Sequence, residues 1–228
     1  MTLTSLPDGY RAAVFGASGG VGQALVAALQ RDPRCAGVHA GSRRPQDGAD
    51  SAKVSAFAFD LADEASIAAA SETIGAPDLV IVATGRLHGP GLSPEKSLRA
   101  IESTSLHEAF AINSIGPAMI ARHVLPRLPR TRRTLFAALS AKVGSISDNR
   151  LGGWHSYRAS KAALNMLIRN FALEFALRNP FDGLRHDYGR VLLASYFAEL
   201  IDLATEPRRP APLRRRFQPF RRPAAVGL

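Results

Sequence analysis

Apolar runs alternate with amphipathic segments along the first 180 residues of the chain. The apolar runs predict five strands, and a period of 3.6 residues predicts four helices. The strands are expected at 12–15, 37–43, 54–60, 77–85 and 134–141, and the helices at 21–31, 62–75, 103–128 and 157–178. We expect the third helix to be interrupted near Gly116-Pro117. This order is typical of βαβ units and predicts an α/β fold with a doubly wound parallel sheet of the Rossmann type.

The composition is that of one ordinary globular domain. The chain has 228 residues, of which 46% are hydrophobic, enough for one sizeable core. Cys35 is the only cysteine, which excludes a disulfide framework and favours a reducing compartment. The first residues lack an apolar signal core, no long apolar stretch occurs, and the six histidines show no metal-ligand spacing. We therefore expect a cytoplasmic protein without a bound metal or a membrane span.

A glycine-rich stretch, FGASGGVGQAL, follows the first predicted strand and opens the first predicted helix. Gly16, Gly20 and Gly22 form a G-x-x-x-G-x-G pattern. Glycines there let the backbone turn tightly and approach a pyrophosphate, with the helix N-terminus directed at the negative charge. The pattern predicts nucleotide binding, and the alternative is a tight turn without a ligand.

The end of the second predicted strand bears on the choice of cofactor. An acidic residue there commonly binds the ribose 2′-hydroxyl of NAD, whereas a 2′-phosphate requires cations. This chain has Ser42, Arg43 and Arg44, and no acid before Asp47. The planar guanidinium of Arg43 suits a phosphate, which favours NADP(H) over NAD(H). The alternative is a solvated pair of arginines.

A tyrosine and a lysine stand one helical turn apart in the last predicted helix. Tyr157 and Lys161 are spaced i, i+4 and share a helix face, with small residues around them. A phenol beside an ammonium suggests pKa tuning, and the alternative is a surface cation beside a half-buried aromatic.

These motifs, with Asp60 after strand three and Asn113 in the long helical region, resemble the short-chain dehydrogenase/reductase family over residues 10–180. The stretch GSISDNRLGGWHSYRASKAALNM further resembles its C-factor-like and sniffer-like carbonyl reductase branch. The resemblance implies an NADP(H)-dependent oxidoreductase that transfers hydride between nicotinamide and a small-molecule carbonyl or alcohol. Its alternative is a weak or inactive nucleotide-binding sensor on the same fold. The resemblance also implies a homo-oligomer through the faces of the helices at 103–128 and 157–178.

The same resemblance implies roles for individual residues. Tyr157 would be the general acid/base, Lys161 and the oxidised nicotinamide would lower the pKa of its phenol, and Asn113 would hold a water that relays protons. Asp60 and Leu61 would border the adenine, and Lys161 would bond the nicotinamide ribose. The residues expected at the cofactor are Gly16, Ser18, Gly20, Val21, Gly22, Ser42, Arg43, Asp60, Leu61, Ala83, Gly85, Tyr157 and Lys161.

Two internal positions depart from the family pattern. The family serine that polarises the substrate carbonyl stands three residues before a glycine, where this chain has Ala141 before Gly144. We predict that Ser140 takes the role, with Ser145 as the other hydroxyl nearby. Strand four ends in Val82-Ala83-Thr84-Gly85, where the family commonly has N-N-A-G.

The third departure is the C-terminus, which lacks the Pro-Gly turn that follows a sixth strand in the family. Residues 190–204 can form a strand or an amphipathic helix, and a strand near 191–194 would be the last regular element. Seven arginines and five prolines lie in 207–228, which contains no acid, so the net charge of +10 falls to +3 without that segment. The charge therefore does not indicate a nucleic-acid-binding domain. We predict a domain at 1–205 and a disordered tail at 206–228. Three explanations of the divergent C-terminus stay open: a frame change near codon 181, a divergent lid, or a basic arm that binds nucleic acid or an acidic partner.

Overall fold

The computed structural model describes residues 5–45, 52–89, 93–177 and 189–194, and in these residues six strands form one sheet. They are β1 Tyr10–Phe15, β2 Cys35–Ser42, β3 Val54–Ala58, β4 Leu79–Val82, β5 Thr134–Leu139 and β6 Gly189–Ala194. Their order in the sheet is β3-β2-β1-β4-β5-β6, and every neighbouring pair is parallel. The doubly wound α/β fold is thus confirmed.

The helices of the described residues connect these strands. They are α1 Gly20–Arg31, α2 Glu64–Ile74, α3 Ser103–Phe110, α4 Gly116–Val124 and α5 His155–Leu177. Local sequence sets their ends: the Asp63 side chain accepts a hydrogen bond from the Ala65 N–H at 2.9 Å and caps α2. Gly75 ends the same helix with a φ of 65°, a conformation that glycine adopts without strain. No helix in the described ranges is long and apolar enough to span a membrane.

Alternate residues of β1 face opposite sides of the sheet. Ala13 and Phe15 join a core cluster with residues of α2, α4 and α5, whereas Ala12 and Val14 join the cluster beneath α1. The four residues of β4 are all buried. Helices on both faces explain why the strands read as continuous apolar runs rather than as alternating patterns.

The helical region from 103 to 127 is continuous, with a wider turn where we predicted an interruption. A π-helical segment, Ala111–Ile115, joins α3 to α4, and the Gly116 N–H donates to the Ala111 carbonyl. Pro117 lies in the first turn of α4 and has no N–H. The Asn113 carbonyl, four residues earlier, therefore lacks the donor that an α-helix would give it.

At the C-terminal side, β6 pairs with β5 from Thr134↔Gly189 to Leu139↔Ala194. A strand is therefore formed at 189–194, one of the two alternatives that the sequence left open. Outside the described residues lie Asp47, residues 195–204 and the predicted tail at 206–228. The three explanations of the C-terminus therefore stay predictions.

The order of the strands places a crevice at β1. The chain runs from β1 outward to β2 and β3, then returns to β4 on the other side of β1. The connections after β1 and β4 thus leave the sheet in opposite directions, and ligands of open α/β sheets bind at the carboxyl ends of such strands. The predicted site residues are distributed around this edge of the sheet.

Candidate active site

The glycine loop closes tightly over the carboxyl end of β1. Gly16 has a φ of 94°, and a Cβ on it would lie 3.0–3.1 Å from atoms of Ala83 and Thr84. A Cβ on Gly22 would overlap the Gly16 carbonyl. Gly19 caps α1 without a side-chain hydrogen bond, and the first turn of α1 contains no acidic residue. The first N–H groups of α1 are thus left for an anion, as a pyrophosphate cradle requires.

The residues that follow β4 lie between the glycine loop and Lys161: Ala83 and Thr84 approach Gly16, and Gly85 approaches Lys161. A Cβ on Gly85 would lie 3.2 Å from Lys161 Nζ and 3.4 Å from Asn113 Oδ1, so a larger residue there would require the end of Lys161 to shift by a few tenths of an ångström. The Thr84 hydroxyl is buried and has no hydrogen-bond partner among the described residues. A glycine cradle and an orphaned hydroxyl at one strand end fit a nicotinamide cofactor better than a closed protein core.

Asn113 is fully buried in the π-helical segment and holds three elements together. Its Oδ1 accepts from the Arg86 N–H at 2.8 Å, and its Nδ2 donates to the Arg86 carbonyl at 3.0 Å and to Ser160 Oγ at 3.2 Å. The hydroxyl of the neighbouring Ser114 donates to the Ser160 carbonyl at 2.6 Å. Both hydrogens of the Asn113 side-chain amide are thus used within the protein.

Tyr157 and Lys161 occupy the first turns of α5 as their spacing predicted. Lys161 is only 3% exposed, and its Nζ donates to the Leu139 carbonyl at 2.9 Å. This ammonium lies 6.0 Å from the centroid of the Tyr157 ring, at the limit of a cation–π contact. Burial lowers the pKa of Lys161 to about 8 and raises the pKa of the Tyr157 phenol. The protein alone therefore favours a protonated phenol, and a lower phenol pKa requires further positive charge near the ring.

The serine region after β5 is joined to α5. Ser140 Oγ donates to Asn165 Oδ1 at 2.6 Å, and Asn165 Nδ2 donates to the Gly144 carbonyl at 3.2 Å. Ala141 is extended, so its side chain points to the face opposite Ser140. Ser145 Oγ accepts from the Asp148 N–H at 3.3 Å. The role of Ser140, or of Ser145, toward a substrate stays a prediction.

The remaining predicted cofactor residues border the same edge of the sheet. Ser42 is buried at the end of β2, and Arg43 and Arg44 follow it on the surface. Asp60 Oδ1 accepts from the Ala62 N–H at 2.9 Å and shapes the turn before α2. Leu61 lies against Gly116, where a Cβ would come within 2.6 Å of Leu61 Cδ2. Their contacts with a cofactor stay predictions, as do those of Ser18 and Val21.

Two contacts of this region were not predicted. Asn165 lies one turn beyond Lys161 on the same face of α5, and this i, i+4 spacing is the signal that could have identified it. Glu95 is 5% exposed and binds the first residues of α5, although 61 residues separate it from Ser156. No local spacing pointed to Glu95.

A model of the short chain dehydrogenase family matches residues 11–179, about three quarters of the chain. The chain belongs to this family. The match confirms the family resemblance that was predicted over residues 10–180.

The chain is also similar to individual proteins. The chain is 32% identical to C-signal of Myxococcus xanthus over 78 residues, which are 34% of this chain and 47% of C-signal. Among solved structures it resembles the carbonyl reductase Sniffer of Drosophila melanogaster at 19% identity and a TM-score of 0.66, over 75% of this chain and 77% of that one. An NADPH-bound carbonyl reductase from chicken fatty liver gives 23% identity and a TM-score of 0.63, over 74% of this chain and 72% of that one. At these identities the two structures establish the fold alone.

Proposed function

We propose that this short-chain dehydrogenase is an NADP(H)-dependent oxidoreductase that transfers hydride between nicotinamide and a carbonyl or alcohol substrate. The observation that carries the proposal is the meeting of three elements at Gly85, whose added Cβ would lie within 3.4 Å of both Lys161 and Asn113. The π-helical segment and α5 thus meet the end of β4 beside the glycine loop, at the carboxyl ends of the strands, where family members bind their cofactor.

The residues present fit the cofactor at both of its ends. The glycine loop and the N-terminus of α1 would hold the pyrophosphate. Ser42 and Arg43 would hold the 2′-phosphate of the adenosine, and Lys161 would bond the nicotinamide ribose. NADPH, when bound, supplies the hydride.

The protein's own part in carbonyl reduction is orientation and proton transfer. The Tyr157 phenol would donate its proton to the carbonyl oxygen while the carbonyl carbon accepts the hydride, which gives the alcohol. Since burial raises the pKa of this phenol, it stays protonated at neutral pH, as a general acid must be. The phenolate would then recover a proton from a water held at the Asn113 carbonyl. Lys161, with a pKa of about 8, is still largely an ammonium at neutral pH and stabilises the phenolate.

A second candidate function is nucleotide binding with little or no turnover. Ala141 in the register of the family serine favours it, because the Ser140 hydroxyl hydrogen is used in the bond to Asn165. A missing donor to the carbonyl would remove part of the transition-state stabilisation. The partial similarity to C-signal is compatible with a signalling role of this kind.

A reductase assay separates the two candidates. NADPH oxidation is followed by absorbance against a panel of aldehydes and ketones, with alcohol product measured in parallel. We expect one alcohol for each NADPH consumed. A panel without product, together with tight NADPH binding by calorimetry, would establish the second candidate, and a protein that binds no nicotinamide nucleotide would contradict both.

Cofactor preference is tested at Arg43. We expect Arg43→Asp to weaken NADPH binding at least about tenfold and to leave NADH binding nearly unchanged, because a carboxylate repels the 2′-phosphate. The matched control is Arg130→Asp. Arg130 is exposed and precedes β5, so it lies near the amino ends of the strands, opposite the proposed cofactor site. Equal affinities for both cofactors, unchanged in Arg43→Asp, would contradict the NADP(H) assignment.

We also propose that two copies of the chain associate through the outer faces of the helices at 103–128 and 157–178. Met166 and Leu173 lie two turns apart on one face of α5, and both are large exposed apolar side chains, as is Ile115 in the π-helical segment. Sedimentation of the wild type and of Met166→Lys tests this, and a monomeric wild type at high concentration would contradict it.

A further inference from the structure

A buried carboxylate that has no role in the proposed catalytic or cofactor site lies against the start of α5. Glu95 is 5% exposed, and it takes part in none of the ion pairs recorded among the described residues. A buried carboxylate is retained only where other groups compensate its charge. Here the compensating groups belong to the residues that precede Tyr157.

Glu95 makes three hydrogen bonds to this short stretch. Its Oε2 accepts from the Ser156 N–H at 3.3 Å, its Oε1 accepts from the Ser156 hydroxyl, and its backbone carbonyl accepts from the Trp154 N–H at 2.5 Å. Ser156 is the second residue of α5, so its N–H is one of those that the helix itself cannot satisfy. Glu95 thus caps α5 from a distant part of the chain, with its negative charge at the positive end of the helix dipole.

The chain enters α5 through three successive residues with positive φ, and the conformation of the last, Trp154, is costly without a support. Gly152 and Gly153 both have a φ of 64°, and Trp154 follows with a φ of 50°, in the left-handed region that non-glycine residues rarely adopt. Trp154 is only partly covered, with 38% of its surface exposed. A Cβ on Gly153 would lie 3.4 Å from the Glu95 carbonyl, which shows how closely the two segments approach.

In the first turn of α5 the Arg158 guanidinium donates to the Val143 carbonyl at 3.3 Å, and the second turn has several supports. Ser160 is held by Asn113 and Ser114, and Lys161 is held by Leu139. Tyr157 lies between these contacts and Glu95, directly after Ser156. Helix ends fray unless their first N–H groups are bound. The Glu95 contacts are thus among those that hold the turn from which the phenol projects.

We infer that Glu95 is a positioning residue: it fixes the first turn of α5 through Trp154 and Ser156 and so sets the orientation of the Tyr157 phenol for proton transfer. The inference rests on the proposed function for its effect on turnover. The geometric part does not, because Trp154 is the only tryptophan of the chain and its fluorescence reports on this contact directly.

The test uses Glu95→Ala, which removes all side-chain contacts, and Glu95→Gln, which keeps an oxygen that can accept one hydrogen bond. Glu102→Ala is the matched control, an exposed glutamate whose side chain does not cap α3. We expect Glu95→Ala to lower kcat by about 10–100-fold, since misplacing a reacting group by about 1 Å has effects of this size. NADPH affinity should change less than about twofold, because the groups proposed to hold the cofactor are untouched. Glu95→Gln should recover part of the lost kcat.

Two readouts do not require turnover. Trp154 emission should shift in Glu95→Ala and stay at the wild-type wavelength in Glu102→Ala. The midpoint of phenol ionisation, assigned by subtracting the titration of Tyr157→Phe, should move in Glu95→Ala. If the wild type shows no turnover with any substrate, the proposed function fails and these two measurements still decide the positioning role.

Two results would overturn the inference. One is a Glu95→Ala variant whose emission, phenol midpoint and kcat match those of Glu102→Ala. The other is a loss of kcat and NADPH binding in the same proportion, with equal loss in Glu95→Gln, which indicates general destabilisation. Should Glu95→Ala fail to fold, Ser156→Ala removes only the hydroxyl that donates to Glu95 and is expected to shift the same midpoint in the same direction.

Discussion

Replacing the buried ammonium of Lys161 should change how the stability of the protein depends on pH. Lys161→Met keeps an unbranched side chain of similar length and removes the charge. In the wild type the ammonium is 3% exposed and has a hydrogen bond to the Leu139 carbonyl, so it loses hydration that a single acceptor replaces only in part. The methionine has no such loss.

The pKa of Lys161 sets the size and sign of the effect. Burial lowers it from 10.5 to about 8, and at about 1.4 kcal/mol for each pKa unit this corresponds to roughly 3 kcal/mol. Between pH 8 and 10.5 the unfolded chain binds a proton that the folded protein has released. The free energy of unfolding therefore rises with pH in this window for this group, and the burial penalty is fully present below it.

The assay is urea unfolding of the wild type and Lys161→Met at several pH values across this window. Titratable groups distant from Lys161 are present in both proteins and cancel in the difference. We expect the wild type to gain up to about 3 kcal/mol relative to the variant from neutral pH to about 10.5. A difference that is constant with pH, or that falls as pH rises, would refute the assignment of Lys161 as a buried, destabilised ammonium.

Three further results are expected. Gly22→Ala should abolish measurable NADPH binding because its Cβ overlaps the Gly16 carbonyl, whereas Gly37→Ala, in β2 with its nearest contact at 3.9 Å, should bind normally in the same titration; equal affinities would contradict the cradle. Ala141→Ser should raise kcat by about tenfold or more if a carbonyl donor is missing in that register, and an unchanged kcat in a steady-state assay would assign that role elsewhere. The pKa of Glu95 lies below its usual range because the hydrogen bonds from Ser156 outweigh its burial. The stability advantage of the wild type over Glu95→Gln should therefore shrink below about pH 4.5 in acid unfolding. An advantage that persists into acid would contradict this.

The fold was predictable because its signals are local. Strands covered on both faces are continuous apolar runs. Capping residues such as Asp63 and Gly75 mark where a helix begins and ends. Tyr157 and Lys161 lie within one turn of each other, so their spacing alone placed them on one face.

The rest depends on contacts between distant parts of the chain. The wider turn at Ala111–Ile115 places Asn113 against Arg86 and Ser160, and the sequence indicated only that a proline stood nearby. Glu95 acts on residues 59 and 61 positions away, beyond any periodicity. The partner of the Ser140 hydroxyl likewise depends on how β5 packs on α5.

The central claim is that the Tyr157 phenol donates the proton during carbonyl reduction, and a comparison of the wild type with Tyr157→Phe tests it most directly. Protein preloaded with NADPH is mixed rapidly with a carbonyl substrate that the wild type reduces, and the loss of nicotinamide absorbance is followed. The account predicts that Tyr157→Phe binds NADPH as the wild type does and that its rate falls by about 10²–10⁴-fold, the usual contribution of a general acid. An NADPH-loaded Tyr157→Phe protein that reduces the same carbonyl at the wild-type rate would contradict it.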